Sequence, residues 1–258
     1  MVSIKVVIRK VTTIAGLAFV AAASFADDSA AARGLIAESM RNLASAPATT
    51  IMMDGYIDQG RVRTPFHVSF ATEIKNVDGI PTAYVELVMT KNNVMTHRMA
   101  GDGRNLWSYD FKTNSYSSLA YQTDGSVPRT DFLSRLLTQA SKWAPKEADF
   151  AIRSIRDVYL GQNLEQRWSP FNAAPSLQIM GSAIQCPAPR LGSNMTYAFT
   201  SDDNGYLLDT VSYVKSQVVS GNNETTAWSA TFFKGAVPPD TDYRFVPPKN
   251  SIPKAVGG

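Results

Sequence analysis

A succession of short alternating segments, separated by turn-forming residues, constrains this chain most. Between residues 66 and 121, apolar and polar side chains alternate with the two-residue period of a β-strand, as Phe66, Val68 and Phe70 do. Turn-forming pairs such as Asp78-Gly79 separate these segments, and such pairs join neighbouring antiparallel strands. The pattern predicts an antiparallel meander.

Alternation returns near the C-terminus, where Met195, Tyr197 and Phe199 begin a second group of predicted strands that continues to residue 233. Two other stretches, 28–44 and 130–143, carry apolar residues at spacings of three and four, which is typical of a helix with one apolar face. We expect a further short helix within 147–160. The order helix, meander, helix, meander predicts an α+β fold, with one antiparallel sheet and helices on one of its faces.

The first 26 residues have the features of a secretory signal. Lys5, Arg9 and Lys10 precede an apolar stretch at 11–25, and Ser24-Phe25-Ala26 offers small residues for cleavage. An uncleaved membrane anchor is the alternative, but the apolar run is shorter than the roughly 20 residues that cross a bilayer. We therefore expect export to the periplasm, a soluble mature domain over 27–250, and a loose tail over 251–258.

The charge of the chain excludes one class of partner. Its net charge of +3 comes from the leader, because the 22 basic residues that follow the leader equal the 22 acidic residues in number. A neutral domain without a basic run lacks the positive surface that binds nucleic acid.

The single cysteine of the chain, Cys186, cannot form an internal disulfide and is interpreted as a small, semi-buried side chain.

No set of residues in the sequence is typical of catalysis. His67 and His97 stand 30 residues apart in predicted strands without carboxylate or cysteine companions, so core-rim or surface positions suit them better than a metal site. Nucleophile, phosphate-binding and zinc motifs are absent from the sequence. We predict a non-enzymatic protein without a cofactor or metal, and a secreted hydrolase is the weakest alternative.

The feature of the sequence that bears most directly on function is its set of apolar residues. Side chains of the predicted helices and of the inner positions of the sheet form one apolar set. From the residues alone, this set is either an ordinary packed core or the lining of a ligand cavity. The candidate residues are Leu35, Ile36 and Met40 of the first helix, Phe132, Leu133, Leu136 and Leu137 of the central helix, and Val85, Leu87, Met89, Trp107, Met195 and Tyr197 of the strands.

Two segments resemble the LolA/LolB-like family of periplasmic lipoprotein-localisation factors. Residues 101–116, GDGRNLWSYDFKTNSY, are similar to a strand, turn and strand of that family, and Phe232-Phe233 with the later Tyr243–Pro248 is similar to its closing segment. The layout of signal, lone helix, strands, central helix and strands is also that of the family.

The resemblance implies a strongly curved, unclosed half β-barrel whose concave face is covered by helices. Acyl chains of a lipid or lipoprotein would occupy the apolar cavity between sheet and helical lid, and Lys91 would be the candidate latch of that lid. The resemblance therefore implies a monomeric carrier or chaperone that acts in lipoprotein transport and outer-membrane biogenesis. Its further partner would be a membrane-bound transporter or acceptor. The alternative is an envelope sensor that binds a partner signalling protein through the same fold.

Overall fold

The computed structural model describes residues 34–35, 38–39, 42–43, 45–60, 62–120, 138, 178–180, 183–188, 193–202, 205–219 and 221–254. These residues form twelve β-strands of a single sheet. Numbered in chain order, the strands are β1 (Ala48–Gln59), β2 (Val62–Val77), β3 (Ile80–Lys91), β4 (Val94–Gly101), β5 (Asn105–Asp110), β6 (Ser115–Ala120), β7 (Gln178–Met180), β8 (Ala183–Ala188), β9 (Ser193–Asp202), β10 (Gly205–Val219), β11 (Asn222–Lys234) and β12 (Ile252–Pro253).

Strand β1 joins the two halves of this sheet. It pairs with β2 on one side and with β11 on the other, which gives the strand order β12-β6-β5-β4-β3-β2-β1-β11-β10-β9-β8-β7. Neighbouring strands are antiparallel, except that β12 runs parallel to β6 over two residues. Within the described residues the outer strands β12 and β7 do not pair with each other, so the sheet is open.

The predicted helical cover is the main point on which the sequence analysis is wrong. We expected an α+β fold with helices over the concave face, but the described residues are nearly all strand and none of them forms a helix that covers a face. Helical backbone is described only at positions between 34 and 45 and at Thr138. The rest of the predicted helices at 130–143 and 147–160 lies outside the described residues. A helical period predicts an apolar stripe, but it does not determine which surface that stripe covers.

No helix in the described part of the chain has both the length and the apolar character needed to cross a membrane.

The predicted turn at Asp78-Gly79 is confirmed, and Asn92-Asn93 forms a second turn of the same kind. Asp78, Asn92 and Asn93 have positive φ angles of 52°, 51° and 61°, the left-handed backbone that short antiparallel connections require. The Asp78-Gly79 turn joins β2 to β3, and the Asn92-Asn93 turn joins β3 to β4. Local turn chemistry thus determines the boundaries of the first meander.

The sheet has two chemically distinct faces. Residues that stand opposite each other on antiparallel strands point to the same side, so the register assigns every strand residue to a face. One side, the apolar face, carries Ile51, Phe70 and Leu87, all fully buried. The other, the strap face, carries Thr50, Glu86 and Trp107.

Gly55 shapes the centre of the apolar face. A Cβ atom at this position would lie 2.6 Å from the Ala227 carbonyl oxygen and 2.7 Å from the Trp228 Cβ, and it would also meet the Phe66 ring. Phe66 and Trp228 stand opposite Gly55 on the two neighbouring strands. The missing side chain therefore lets two aromatic residues approach each other over β1.

The strap face is crossed by residues 236–254, which we name the C-terminal strap. It begins at Ala236, whose carbonyl oxygen accepts a hydrogen bond from Thr50 Oγ1 (2.8 Å). It ends beyond β6, where the Ile252 amide donates to the Asn114 carbonyl (2.9 Å) and the Lys254 amide donates to the Tyr116 carbonyl (2.7 Å). Backbone hydrogen bonds and two-residue parallel pairing therefore join residues 252–254 to β6 and to the turn before it.

A charged cluster fastens the middle of the strap. The Arg98 guanidinium lies 2.8 Å from Glu86 Oε1 and donates to the Asp242 carbonyl oxygen (2.6 Å). The Asp242 amide donates in turn to Glu86 Oε2 (3.2 Å). Burial raises the pKa of Glu86 above its ordinary value, although Arg98 acts to lower it.

An aromatic cluster anchors the far part of the strap. The Phe245 ring lies 5.7 Å from the Trp107 ring, 5.6 Å from the Tyr109 ring and 6.3 Å from the Tyr116 ring, measured between centroids. Contacts of this kind add stability to that gained from apolar burial. The strap therefore ties β4, β5 and β6 together from the side opposite the apolar face.

Replacing Phe245 with Ala should lower the free energy of unfolding by about 2 kcal/mol, less than the ~3–5 kcal/mol typical of a fully buried ring. The matched control is Val246→Ala, because Val246 is 83% exposed on the same strap. Urea denaturation of both variants checks this expectation. Equal stability of the two variants would show that the strap does not stabilise the sheet.

Candidate functional site

The apolar face is built from rows of side chains that run across the strands. In the first row, each residue stands opposite the next on a neighbouring strand, from β9 to β6. Its members in order are Tyr197, Val211, Ala230, Met53, Val68, Met89, His97, Asp110 and Ser115. The first six are apolar and buried, so the row remains apolar over six strands before it becomes polar.

The second row lies two residues further along the strands and becomes polar one strand later, on β5 instead of β4. Its members are Phe232, Ile51, Phe70, Leu87, Met99, Ser108 and Ser117. The first five are apolar and buried. Both rows therefore end on β4–β6 in polar side chains. We name His97, Ser108, Asp110, Ser115 and Ser117 the polar end of the apolar face.

His97 is the least expected member of the polar end. Its side chain is completely buried, and its Nε2 atom lies 3.4 Å from Ser108 Oγ. Its Nδ1 atom has no hydrogen-bond partner among the described residues. Buried polar atoms are usually paired, so an unpaired ring nitrogen is a candidate ligand contact.

A histidine beside a carboxylate is usually expected to be protonated, but the His97 side chain at the polar end is not. Burial lowers the pKa of His97 to about 4, and Asp110, opposite on β5, acts against this shift without reversing it. Burial also acts on Asp110, but hydrogen bonds from Thr113 and Lys112 outweigh it and bring the pKa of Asp110 below its ordinary value. At neutral pH a neutral imidazole therefore stands opposite an ionised carboxylate.

Four of the predicted binding residues lie on the apolar face. Val85, Leu87, Met89 and Tyr197 are all buried there. Lys91, the predicted lid latch, ends β3 on the same side, opposite Phe66, and is partly exposed. Trp107 lies on the strap face against Phe245, so it does not line the apolar face.

The remaining predicted residues are described only in part. Leu35 is helical and half-buried, and its carbonyl oxygen accepts a hydrogen bond from Ser39 Oγ (2.6 Å). Met195 stands opposite Tyr213 and Cys186 in the sheet. The candidates outside the described residues are Ile36, Met40, Phe132, Leu133, Leu136 and Leu137.

His97 and Ser108 were not predicted as site residues. A signal for His97 was present in the alternation of β4, because His97 and Met99 are two residues apart and therefore share a face. The bulge at Met89 and Thr90, which leaves Thr96 without an opposite residue, could not be predicted from that alternation. Its effect is that Met95 lies on the strap face, opposite Thr90.

Among the described residues there is no group of three or more His, Cys, Asp or Glu side chains that could hold a metal ion.

Comparisons with known proteins give only distant similarities. No protein-family model and no curated protein sequence matches the chain. A DUF1329 family protein from Desulfovibrio piger is 11% identical over 85% of this chain and 98% of that chain, with a TM-score of 0.36. LprF from Mycobacterium bovis is 9% identical over 83% and 98%, with a TM-score of 0.31.

Lipovitellin, solved in work on its lipid–protein interactions, is 10% identical over 78% of this chain and 27% of that chain, with a TM-score of 0.28. These identities and TM-scores are too low to carry an argument about function.

The histidine on the apolar face should make stability depend on pH. Between pH 6.5 and about 4 the unfolded chain binds a proton at His97 that the folded chain does not, so the free energy of unfolding should fall on acidification through that range. The loss from this group approaches about 3 kcal/mol. Urea denaturation across the range, with His97→Gln as a variant that cannot titrate, measures it. An equally steep fall in the variant would contradict the assignment.

Proposed function

We propose that this chain is an exported, non-enzymatic lipid-binding protein of the bacterial cell envelope, which holds acyl chains against its apolar face. The observation that supports this function best is the continuity of the two apolar rows across an open sheet. A sheet of twelve strands also exceeds the roughly ten strands beyond which open sheets tend to curl or split. Curling would turn one face into a trough.

The dimensions of the apolar face fit acyl chains. Neighbouring strands are about 4.8 Å apart, so the six apolar members of the first row span roughly 24 Å. One leaflet of a bilayer, half of a hydrocarbon core of about 30 Å, is roughly 15 Å thick. The two rows are separated by roughly 7 Å along the strands, so two chains could lie side by side.

The energetics also favour an apolar surface of this kind. Burying one CH₂ group is worth about 0.8 kcal/mol, so exposing a chain of about 14 carbons to water costs on the order of 10 kcal/mol. Met53, Met89 and Met99 contribute three unbranched thioethers to the two rows. Such side chains adapt to irregular shapes, which suits a surface that must accept different acyl chains.

The leader predicted from the sequence supports binding outside the cytoplasm. A carrier of lipid or lipoprotein through an aqueous compartment would need a membrane-bound donor or acceptor as its partner. A sensor module that binds a signalling protein is the alternative role, and it requires no bound lipid.

A large side chain in the first row should block binding of a lipid-like probe. In Ala230→Phe the ring would enter the row between Val211 and Met53, and we expect the affinity for N-phenyl-1-naphthylamine to fall about tenfold or more, which corresponds to at least ~1.4 kcal/mol. Fluorescence titration measures the change, and circular dichroism establishes that the variant is folded.

The matched control is Thr231→Phe, because Thr231 is adjacent in sequence but lies on the strap face, opposite Met52. This variant should bind the probe like the parent. If the parent does not bind the probe and Ala230→Phe only lowers stability, the apolar face is an ordinary packed core.

A further inference from the structure

We infer that the polar end is a recognition site for an uncharged polar group, a hydroxyl or an ester, at the head of the bound acyl chain. The inference rests on the proposed function and makes its ligand class more specific: neutral acyl lipids such as monoacylglycerols are favoured over free fatty acids. The four observations that support it concern position, an unpaired atom, hydroxyl groups and charge.

The position of the polar end is that of a headgroup site. Both apolar rows lead without interruption into it, the first row through Met89 to His97 and the second through Met99 to Ser108. An acyl chain that lies along either row would therefore bring its polar end to these side chains. Ligand sites commonly combine a mostly apolar lining with a few convergent polar groups.

The unpaired nitrogen of His97 provides a reason for a ligand at this place. A buried polar atom without a hydrogen-bond partner destabilises the folded chain, because it has lost its bonds to water and gained none in return. Nδ1 of His97 is such an atom among the described residues, while Nε2 faces Ser108 Oγ. A ligand atom that hydrogen-bonds to Nδ1 would remove this cost, whereas an apolar carbon of the acyl chain would not.

Three buried serines lie on β5 and β6, on the same face of the sheet as His97. Ser108, Ser115 and Ser117 are each less than 10% exposed, and Ser115 Oγ lies 2.6 Å from Thr113 Oγ1. A hydroxyl both donates and accepts, so a group of serines can adjust to a ligand that does the same. Esters and alcohols meet this description without carrying a charge.

Charge distinguishes between the two kinds of acyl ligand. The imidazole of His97 is neutral at neutral pH and offers no positive charge, whereas Asp110 is ionised and stands next to it in the same row. A fatty-acid carboxylate would be buried beside a like charge, and the cation that acts on Asp110, the exposed Lys254, already has its ammonium 3.4 Å from Thr113 Oγ1. Burying a second negative charge there is therefore unfavourable. An uncharged head avoids that cost.

The test is competition against N-phenyl-1-naphthylamine at neutral pH. We expect monopalmitoylglycerol to displace the probe at a concentration about tenfold lower than palmitate, the effect of roughly one good buried hydrogen bond. In His97→Gln this preference should disappear through weaker binding of monopalmitoylglycerol alone. His67→Gln is the control, because His67 is exposed on the strap face and bonded to Asp54.

A spectroscopic measurement covers the case in which His97→Gln does not fold. In the parent protein with isotope-labelled histidine, the ring nitrogen resonances of His97 should shift when monopalmitoylglycerol binds, while those of His67 should not.

Three outcomes would overturn the inference. Equal displacement by both ligands, or bound monopalmitoylglycerol with unmoved His97 resonances, would exclude a headgroup site here and leave the lipid-binding function standing. Failure of both ligands to displace a bound probe would reject the headgroup site and the proposed function together.

Discussion

The register of β1 is the constraint on which the rest of the structure depends. Because β1 pairs with β2 and with β11 at the same time, it combines the two predicted meanders into one sheet and determines which residues face each other across both halves. A slip of one residue in either ladder would move Ile51 and Met53 to the strap face relative to their partners. The continuous rows from Tyr197 to His97 exist only in the observed register.

The strap and the two apolar rows lie on opposite faces of the sheet. The strap crosses one face and is held there by Arg98, Glu86 and the rings around Phe245. The other face carries the apolar rows and the polar end. Lys91 was predicted to be a cationic latch for a helical lid. Among the described residues, Arg98 is a cationic side chain that fastens the extended strap to the sheet.

Much of the sheet could be predicted from local sequence, and its assembly could not. Turn chemistry at Asp78-Gly79 and Asn92-Asn93 determined the first hairpins, and alternation placed Val85, Leu87 and Met89 on one side. Long-range pairing, such as that of β1 with β11, leaves no local signal in a single sequence. The site of His97 was not predicted for a related reason. A single histidine in a sequence does not indicate a site, and here the site is formed only because the strand register brings Ser108 and Asp110 beside it.

The central claim is that an acyl lipid occupies the apolar face, and native mass spectrometry of the protein purified from its own cell-envelope fraction tests it most directly. We expect a population heavier than the mature chain by the mass of an uncharged acyl lipid, which organic extraction releases. A chain that carries no lipid but binds a partner protein in a fixed ratio would contradict the account and favour the sensor role.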